Sequence, residues 1–273
     1  MKNIKYISLL LIALFFTSCE EVVDVDLDTA APRLVIDASI NWYKGTAGNE
    51  QKIKLTTTAG YYDTVIPAIS GAQVFITNST NNVFTFIENP DTGEYSCTNF
   101  VPVLNETYTL TVISEGQTYT AVETMKATSV IKDNIAQNNE GGFSGSDIEL
   151  KFFFQDNGAE DNYYMTRIAA SIHPLAEYEV SDDEFFQGNE ITGIYIDEDL
   201  KAGDIMQFSV YGISEQYKNY MTILLNASQG DGGPFQTTPS NARGNLINQT
   251  NSNNFALGYF RLSEVDTKTY TVQ

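Results

Sequence analysis

Few residues in this chain are of types that do chemistry. There is one histidine, His173, and there are two cysteines, Cys19 and Cys97. Zinc is held by sets of Cys and His, so this inventory excludes the usual ligand combinations. A Ser-His-Asp arrangement would have to use His173, which precedes Pro174 at an expected strand-to-loop junction. No Gly-x-Ser-x-Gly elbow surrounds any serine. Calcium needs only oxygen ligands, and three clusters offer them: Asp156 to Asp161, Asp182-Asp183-Glu184 and Asp197-Glu198-Asp199. None has the twelve-residue register with Gly at six and Glu at twelve. Solvated turn acids account for all three, with Asp156, Glu160 and Asp161 as a weak calcium candidate. Carboxylate pairs are so frequent here that a glycosidase-like pair arises by chance. The single Trp42 argues against a sugar-cleaving cleft, although tyrosine-rich surfaces can stack on sugars or peptides. Gly-Asp-Gly-Gly-Pro at 230–234 lacks the Lys and following helix of a phosphate loop and reads as a turn system. The chain is therefore expected to have no catalytic set and no cofactor, and to be no enzyme. Cys97, between Ser96 and Thr98 in a strand pattern, reads as a small buried residue.

Cys19 has a different context. Lys2 and Lys5 open the chain, Ile7 to Phe16 are almost entirely apolar, and Thr17-Ser18 put small residues before the cysteine. A span needs about 20 apolar residues, so this run fits instead the apolar core of a secretory signal. The pattern resembles the lipoprotein signal read by bacterial signal peptidase II, with Phe16 where that motif usually has Leu. The resemblance implies that residues 1–18 are removed and that Cys19 is diacylated on sulfur, anchoring the mature chain. Residues 19–32 then form an acidic tether with five acids and no base. Acids directly after a lipidated cysteine resemble the surface-export signal of Bacteroidota lipoproteins. Outer-membrane, cell-surface placement is the expectation, with the periplasm-facing leaflet as the other option.

The bulk charge restricts partners. The chain has 15 Lys and Arg against 35 Asp and Glu; without Lys2 and Lys5, lost with the leader, 13 bases face 35 acids, a net of −22. Such a chain lacks the basic footprint that nucleic acid requires. It would also be repelled by anionic lipid, which leaves anchoring to acyl chains. With one cysteine left after acylation, no internal disulfide forms and the core must hold the fold.

That core is expected to be β. From Arg33, segments beginning RLVIDASINW, QKIKLTTTA, AQVFITNS, NVFTFIEN, GEYSCTNF, ETYTLTVIS and QTYTAVETM alternate with period two, separated by turn signals. Seven short strands at this spacing predict an immunoglobulin-like antiparallel β-sandwich over 33–127. Residues 128–146 lose the alternation and become Asn/Gly/Ser-rich, which predicts a linker. A second β-rich domain is expected over 147–273, with strands at DIELKFFFQD, NYYMTRIAASI, ITGIYIDEDL, DIMQFSVYGI, FALGYFRLSEV and TKTYTVQ. HPLAEYEVSDDEFFQGN reads as a long loop with a short helix. One amphipathic helix is predicted at about 214–228, with Tyr217, Tyr220, Met221, Leu224 and Leu225 on one stripe and Ser214 as N-cap.

Several stretches together carry a resemblance: SGAQVFITN, NPDTGEYS and NETYTLTVISEGQTYTA in the first half, then DNGAEDNYYMTRI, SEQYKNYMTILLNASQGDGGPFQTTPSNARGNLIN and FALGYF. They resemble the Bacteroidota lipoprotein family named for its domain of unknown function 4249, over nearly the whole mature chain. The resemblance implies an accessory lipoprotein associated with TonB-dependent outer-membrane receptors; it carries over no catalytic residues. Independently, Gly232, Gly233, Pro234, Phe235, Arg243 and Asn245 lie on a long excursion of the kind that is often functional, a possible partner or ligand loop. The expected function is a non-enzymatic, lipid-anchored binding partner of a TonB-dependent receptor in nutrient uptake. The alternative is a structural subunit of an outer-membrane assembly or export machine.

Overall fold

The computed structural model describes residues 31–60, 62–142, 145–228 and 242–273. Alternation in the first half does what the period demands. In β1 (Leu34–Tyr43) the residues Ile36, Ala38 and Ile40 turn inward and are fully buried. The same happens in β2 (Gln51–Thr57), β3 (Gln73–Asn78), β4 (Val83–Asn89), β5 (Glu94–Cys97), β6 (Thr107–Ser114) and β7 (Gln117–Thr124). Strands β1, β2 and β5 form one layer, and β4, β3, β6 and β7 the other. The end of β4 also pairs with β5 and joins the layers at that side. Ile53, Leu55, Phe100 and Tyr108 fill the space between them, and Cys97 packs there with its Sγ toward Asn99 Oδ1.

The second half is built the same way. Its strands are β8 (Ala136–Gly141), β9 (Asp147–Gln155), β10 (Tyr163–Ala170), β11 (Glu177–Asp182), β12 (Glu190–Asp197) and β13 (Ile205–Ile213). They are followed by helix α1 (Glu215–Ser228), the two-residue β14 (Ile247–Asn248) and β15 (Leu257–Thr271). One layer pairs β8, β9 and β12; the other pairs β11, β10, β13 and β15. Leaving aside β14, each half puts its first, second and fifth strands in one layer and its fourth, third, sixth and seventh in the other. Phe152, Phe154, Tyr164 and Phe208 form the second core, with rings of Phe152 and Phe208 stacked at 4.8 Å. The protein is mainly β, and the second half repeats the sandwich of the first.

Three expectations change. Residues 128–146 are not a free linker: Thr128 N–H donates to Glu264 at 2.9 Å, Ile131 is buried and bridged to Phe154, and β8 lies within the stretch. Residues 32–273 accordingly form one compact unit. The expected loop with a short helix contains β11, an edge strand. The two expected closing strands are one, β15.

That long strand joins the sandwiches. Residues 257–265 pair in parallel with β1, and residues 265–271 pair antiparallel with β13. The result is a continuous sheet in the order β11-β10-β13-β15-β1-β2-β5. Tyr259 to Val265 are seven consecutive buried residues, as expected of a strand covered on both faces. Glycine is required at the start of the joint: Gly258 has φ +96°, and a Cβ there would lie 2.1 Å from the Ile36 carbonyl oxygen. The two sandwiches should therefore unfold together. In urea, Trp42 emission and hydrogen-exchange protection of β10 should be lost at one midpoint, and two midpoints would show independent domains. Gly258→Ala should lower stability by about 2 kcal/mol or more.

Candidate functional site

The face of the continuous sheet away from both cores needs its own cover, and α1 supplies part of it. Ser214 caps the helix, accepting from Tyr217 N–H at 3.2 Å. Tyr217, the helix's buried residue, meets Tyr259 edge-on with ring centroids 4.9 Å apart, and Tyr220 lies at the same distance from Tyr259. Met165, Tyr211, Ile213 and Val265 complete the buried part of this third apolar cluster.

Beside the helix the face stays open as a cleft of about 620 Å³. Its floor is polar because these positions alternate with core positions on the same strands. Asp37, Ser39 and Asn41 come from β1, Gln207 and Ser209 from β13, and Arg261 from β15. Tyr43, Tyr178, Tyr211, Tyr217 and Tyr220 line the walls. Burial pushes the Tyr211 hydroxyl up to about 12, with Tyr43 adding and Arg261 opposing. Burial likewise raises Tyr220 to about 12, and these phenols stay neutral hydrogen-bonding groups at ordinary pH.

Arg261 is the unusual member. It is only 4% exposed, yet none of the described ion pairs involves it. Its Nη2 donates to Asn41 Oδ1 at 2.9 Å, and its guanidinium carbon sits 5.2 Å from the ring centroids of both Tyr211 and Tyr217. Among the described residues Nε and Nη1 find no acceptor. Sequence reasoning missed this residue. The signal was an arginine between Phe260 and Leu262, inside an apolar run too long for a half-exposed strand.

A second cleft of about 530 Å³ opens at the start of α1 and is acidic, lined by Glu123, Glu160, Asp161 and Glu215 with Lys126. Its Glu123 is held by the Ser214 hydroxyl at 2.8 Å. Among the described residues no group of three or more His, Cys, Asp or Glu is placed to hold a metal ion. Of the calcium candidates, Asp156 is buried and accepts from Tyr164 hydroxyl and Gly188 N–H, both at 2.7 Å. Glu160 and Asp161 are exposed, Glu160 accepting from Asn157 at 3.1 Å.

Cys19, Gly232, Gly233, Pro234 and Phe235 lie outside the described residues. Arg243 and Asn245, from the same excursion, serve to fasten it. The Arg243 and Arg33 guanidiniums both lie 4.0 Å from the Phe255 ring centroid. The Asn245 side chain donates to the Phe260 carbonyl and accepts from the Phe260 N–H, each at 2.9 Å. Between them Gly244 crosses so close to β15 that a Cβ would lie 1.7 Å from the Gly258 carbonyl oxygen. His173 pairs with Asp197 at 2.6 Å, and Asp197 also accepts from Tyr195 hydroxyl and Asp199 N–H.

A family model described as "Domain of unknown function (DUF4249)" matches residues 20–269. No curated protein matches the chain. Among solved structures, a two fibronectin type-III domain segment from chicken tenascin is 9% identical with a TM-score of 0.22, the match covering 66% of this chain and 90% of that one. A DUF4785-family protein from Legionella pneumophila is 8% identical, TM-score 0.27, covering 66% of this chain and 52% of that one. A cytokine receptor complex is 8% identical, TM-score 0.26, covering 66% and 82%. Superpositions this loose carry no argument, and the fold assignment rests on the strand pairing above.

Two outcomes test the roles given to these side chains. Asn245→Ala leaves the Phe260 N–H and carbonyl without their partners and should cost about 2 kcal/mol in denaturant unfolding. The hydrogen bond that His173 makes to the Asp197 carboxylate, reinforced by its charge, raises His173 above its usual 6.5, with burial opposing. A raised folded value means that the pair's contribution is complete below about 6.5 and disappears as pH rises through the folded value. For Asp197 burial works upward, but the bonds from His173, Asp199 and Tyr195 outweigh it and lower the acid below 3.8. Its contribution therefore fades only as pH falls through that lowered value. Melting temperatures of the wild type should drop more than those of His173→Gln as pH climbs from 6 to 9; parallel curves would show the pair to be inert.

Proposed function

We propose that this chain, which belongs to the DUF4249 family, is a non-enzymatic, lipid-anchored outer-membrane protein that binds a ligand or partner for a TonB-dependent receptor in nutrient uptake. The cleft beside α1 carries the binding part of this reading. Its walls are tyrosine, its floor holds hydroxyl, amide and guanidinium groups, and neither His173 nor Cys97 is among its lining residues. These are groups that orient a bound molecule. The charged start, short apolar run and Thr17-Ser18-Cys19 support the anchor, and the net acidity leaves the acyl chains to provide it. The tandem of joined sandwiches supports a rigid body carried on a tether, since the shared strand leaves no hinge between the halves.

The test is purification from native membranes in mild detergent through a C-terminal tag, followed by mass spectrometry. A large TonB-dependent barrel should be recovered in near-equal amount. Recovery of the lipoprotein alone would overturn the receptor partnership. Cys19→Ala should abolish labelling by a clickable fatty acid and release the chain from the membrane fraction; continued labelling would overturn the anchor.

A further inference from the structure

We infer that the cleft beside α1 is a binding site for a small organic carboxylate carried on a ring, and that Arg261 receives the carboxylate. This deepens the binding reading above and rests on it. A guanidinium presents five N–H donors and stays charged at any ordinary pH. Arg261 donates to the neutral Asn41 and interacts with the neutral Tyr217 hydroxyl, and among the described residues no acceptor lies in hydrogen-bonding geometry for Nε and Nη1. A buried cation with idle donors is costly, and the cost is removed when an anion arrives. The chain is not short of internal anions, with 35 acids against 15 bases. The one carboxylate lining the cleft, Asp37, is exposed, accepts from the Ser39 hydroxyl and forms none of the described ion pairs with Arg261. The second cation there, Arg167, donates to Gln207 at 2.9 Å. The cleft thus holds two guanidiniums against one carboxylate in a protein whose net charge is −20.

The surroundings point to a carboxylate on a ring more than to a bare inorganic anion. Tyr211 and Tyr217 flank the guanidinium, and about 620 Å³ is room for a molecule between a monosaccharide and a dipeptide in size. Tyrosine faces can stack on either an aromatic ring or the apolar face of a sugar. The hydrogen-bonding floor then meets whatever substituents the ring carries. Both kinds of ring acid share the chemistry that Arg261 selects.

The experiment uses the mature full-length chain in detergent with isotope-labelled arginine, observing the guanidinium Nε–H resonances by NMR. The Arg261 signal is identified by its loss in Arg261→Lys, with Arg261→Met as a second variant should the lysine disturb the fold. Benzoate and galacturonate are titrated beside their uncharged counterparts benzamide and methyl galactoside. At least one carboxylate should shift the Arg261 resonance saturably, its uncharged counterpart should not, and Arg261→Lys should weaken binding about tenfold or more. A shift with benzoate alone assigns aromatic acids, and a shift with galacturonate alone assigns acidic sugars. No shift with either acid, equal shifts with the uncharged probes, or unchanged affinity in Arg261→Lys would overturn the inference. Receptor recovery without carboxylate binding overturns this inference only, whereas carboxylate binding without receptor recovery overturns only the partnership.

Discussion

A strand inside a sheet must pair along both edges, and β15 meets that demand by belonging to two sandwiches in turn. Without its pairing to β1, β1 would be an open edge of the first sandwich and β15 an open edge of the second. Two such edges are templates for aggregation. Pairing them in parallel closes both at once and makes the molecule one unit. The packing follows from the same requirement. A strand covered on both faces is largely apolar on each, hence Phe260 and Leu262 toward the first core and Tyr259 and Val265 beneath the helix. Glu264 is tolerated in the buried run because Thr128 N–H and Lys44 Nζ, 2.8 Å away, satisfy it.

Joining the sandwiches also creates a surface that neither would have alone. The sheet β11-β10-β13-β15-β1 presents its outer face across the seam, and α1, which follows β13, packs against it. The helix's tyrosines seal the part of the face nearest Tyr259. Closer to β15 in the chain, β14 pairs with β7 of the first sandwich and Asn245 clamps Phe260. The cleft is what this cover leaves exposed. It exists because the seam exists, so the shape of the cleft depends on the integrity of the joint.

The first sandwich was legible residue by residue, since alternating Ile, Val, Phe and Tyr on one face leave little choice of register. The helix was legible for the same reason at its own period, and Ser214 marked its start. What failed was polar or non-local. Strand β8 reads AQNNEG and β11 reads EYEVSD; both are edge strands whose neighbours supply the pairing, and their own sequences carry no inward stripe. The break expected between FALGYFRLSEV and TKTYTVQ arose from Ser263, whose backbone bridges Lys126, and Glu264, whose partners Thr128 and Lys44 lie more than a hundred positions earlier in the chain. The second sandwich's repeat of the first is a property of strand order, which no local pattern records. In the excursion after α1, the Arg-Gly-Asn run was conspicuous as sequence and proves to be a fastening. Arg261, the residue with most to offer a ligand, was hidden among apolar neighbours.

That concealment follows from where Arg261 stands. The position lies in a strand where every neighbour is buried, so the simplest occupant is an apolar side chain of similar length, which would avoid the desolvation cost and in many proteins adds stability. The structure instead surrounds the arginine with supports that do not neutralise it. Tyr211 and Tyr217 face the cation, Asn41 fixes one terminal nitrogen, and the nearby acids are directed elsewhere: Asp37 to Ser39, Glu264 to Lys44 and Thr128. A residue that served only to pack the seam would be paired or replaced. One that is oriented, desolvated and left with donors unused departs from local stability in the way binding sites do. The interaction that closes two sheet edges thereby also places a charge that the fold itself leaves unanswered.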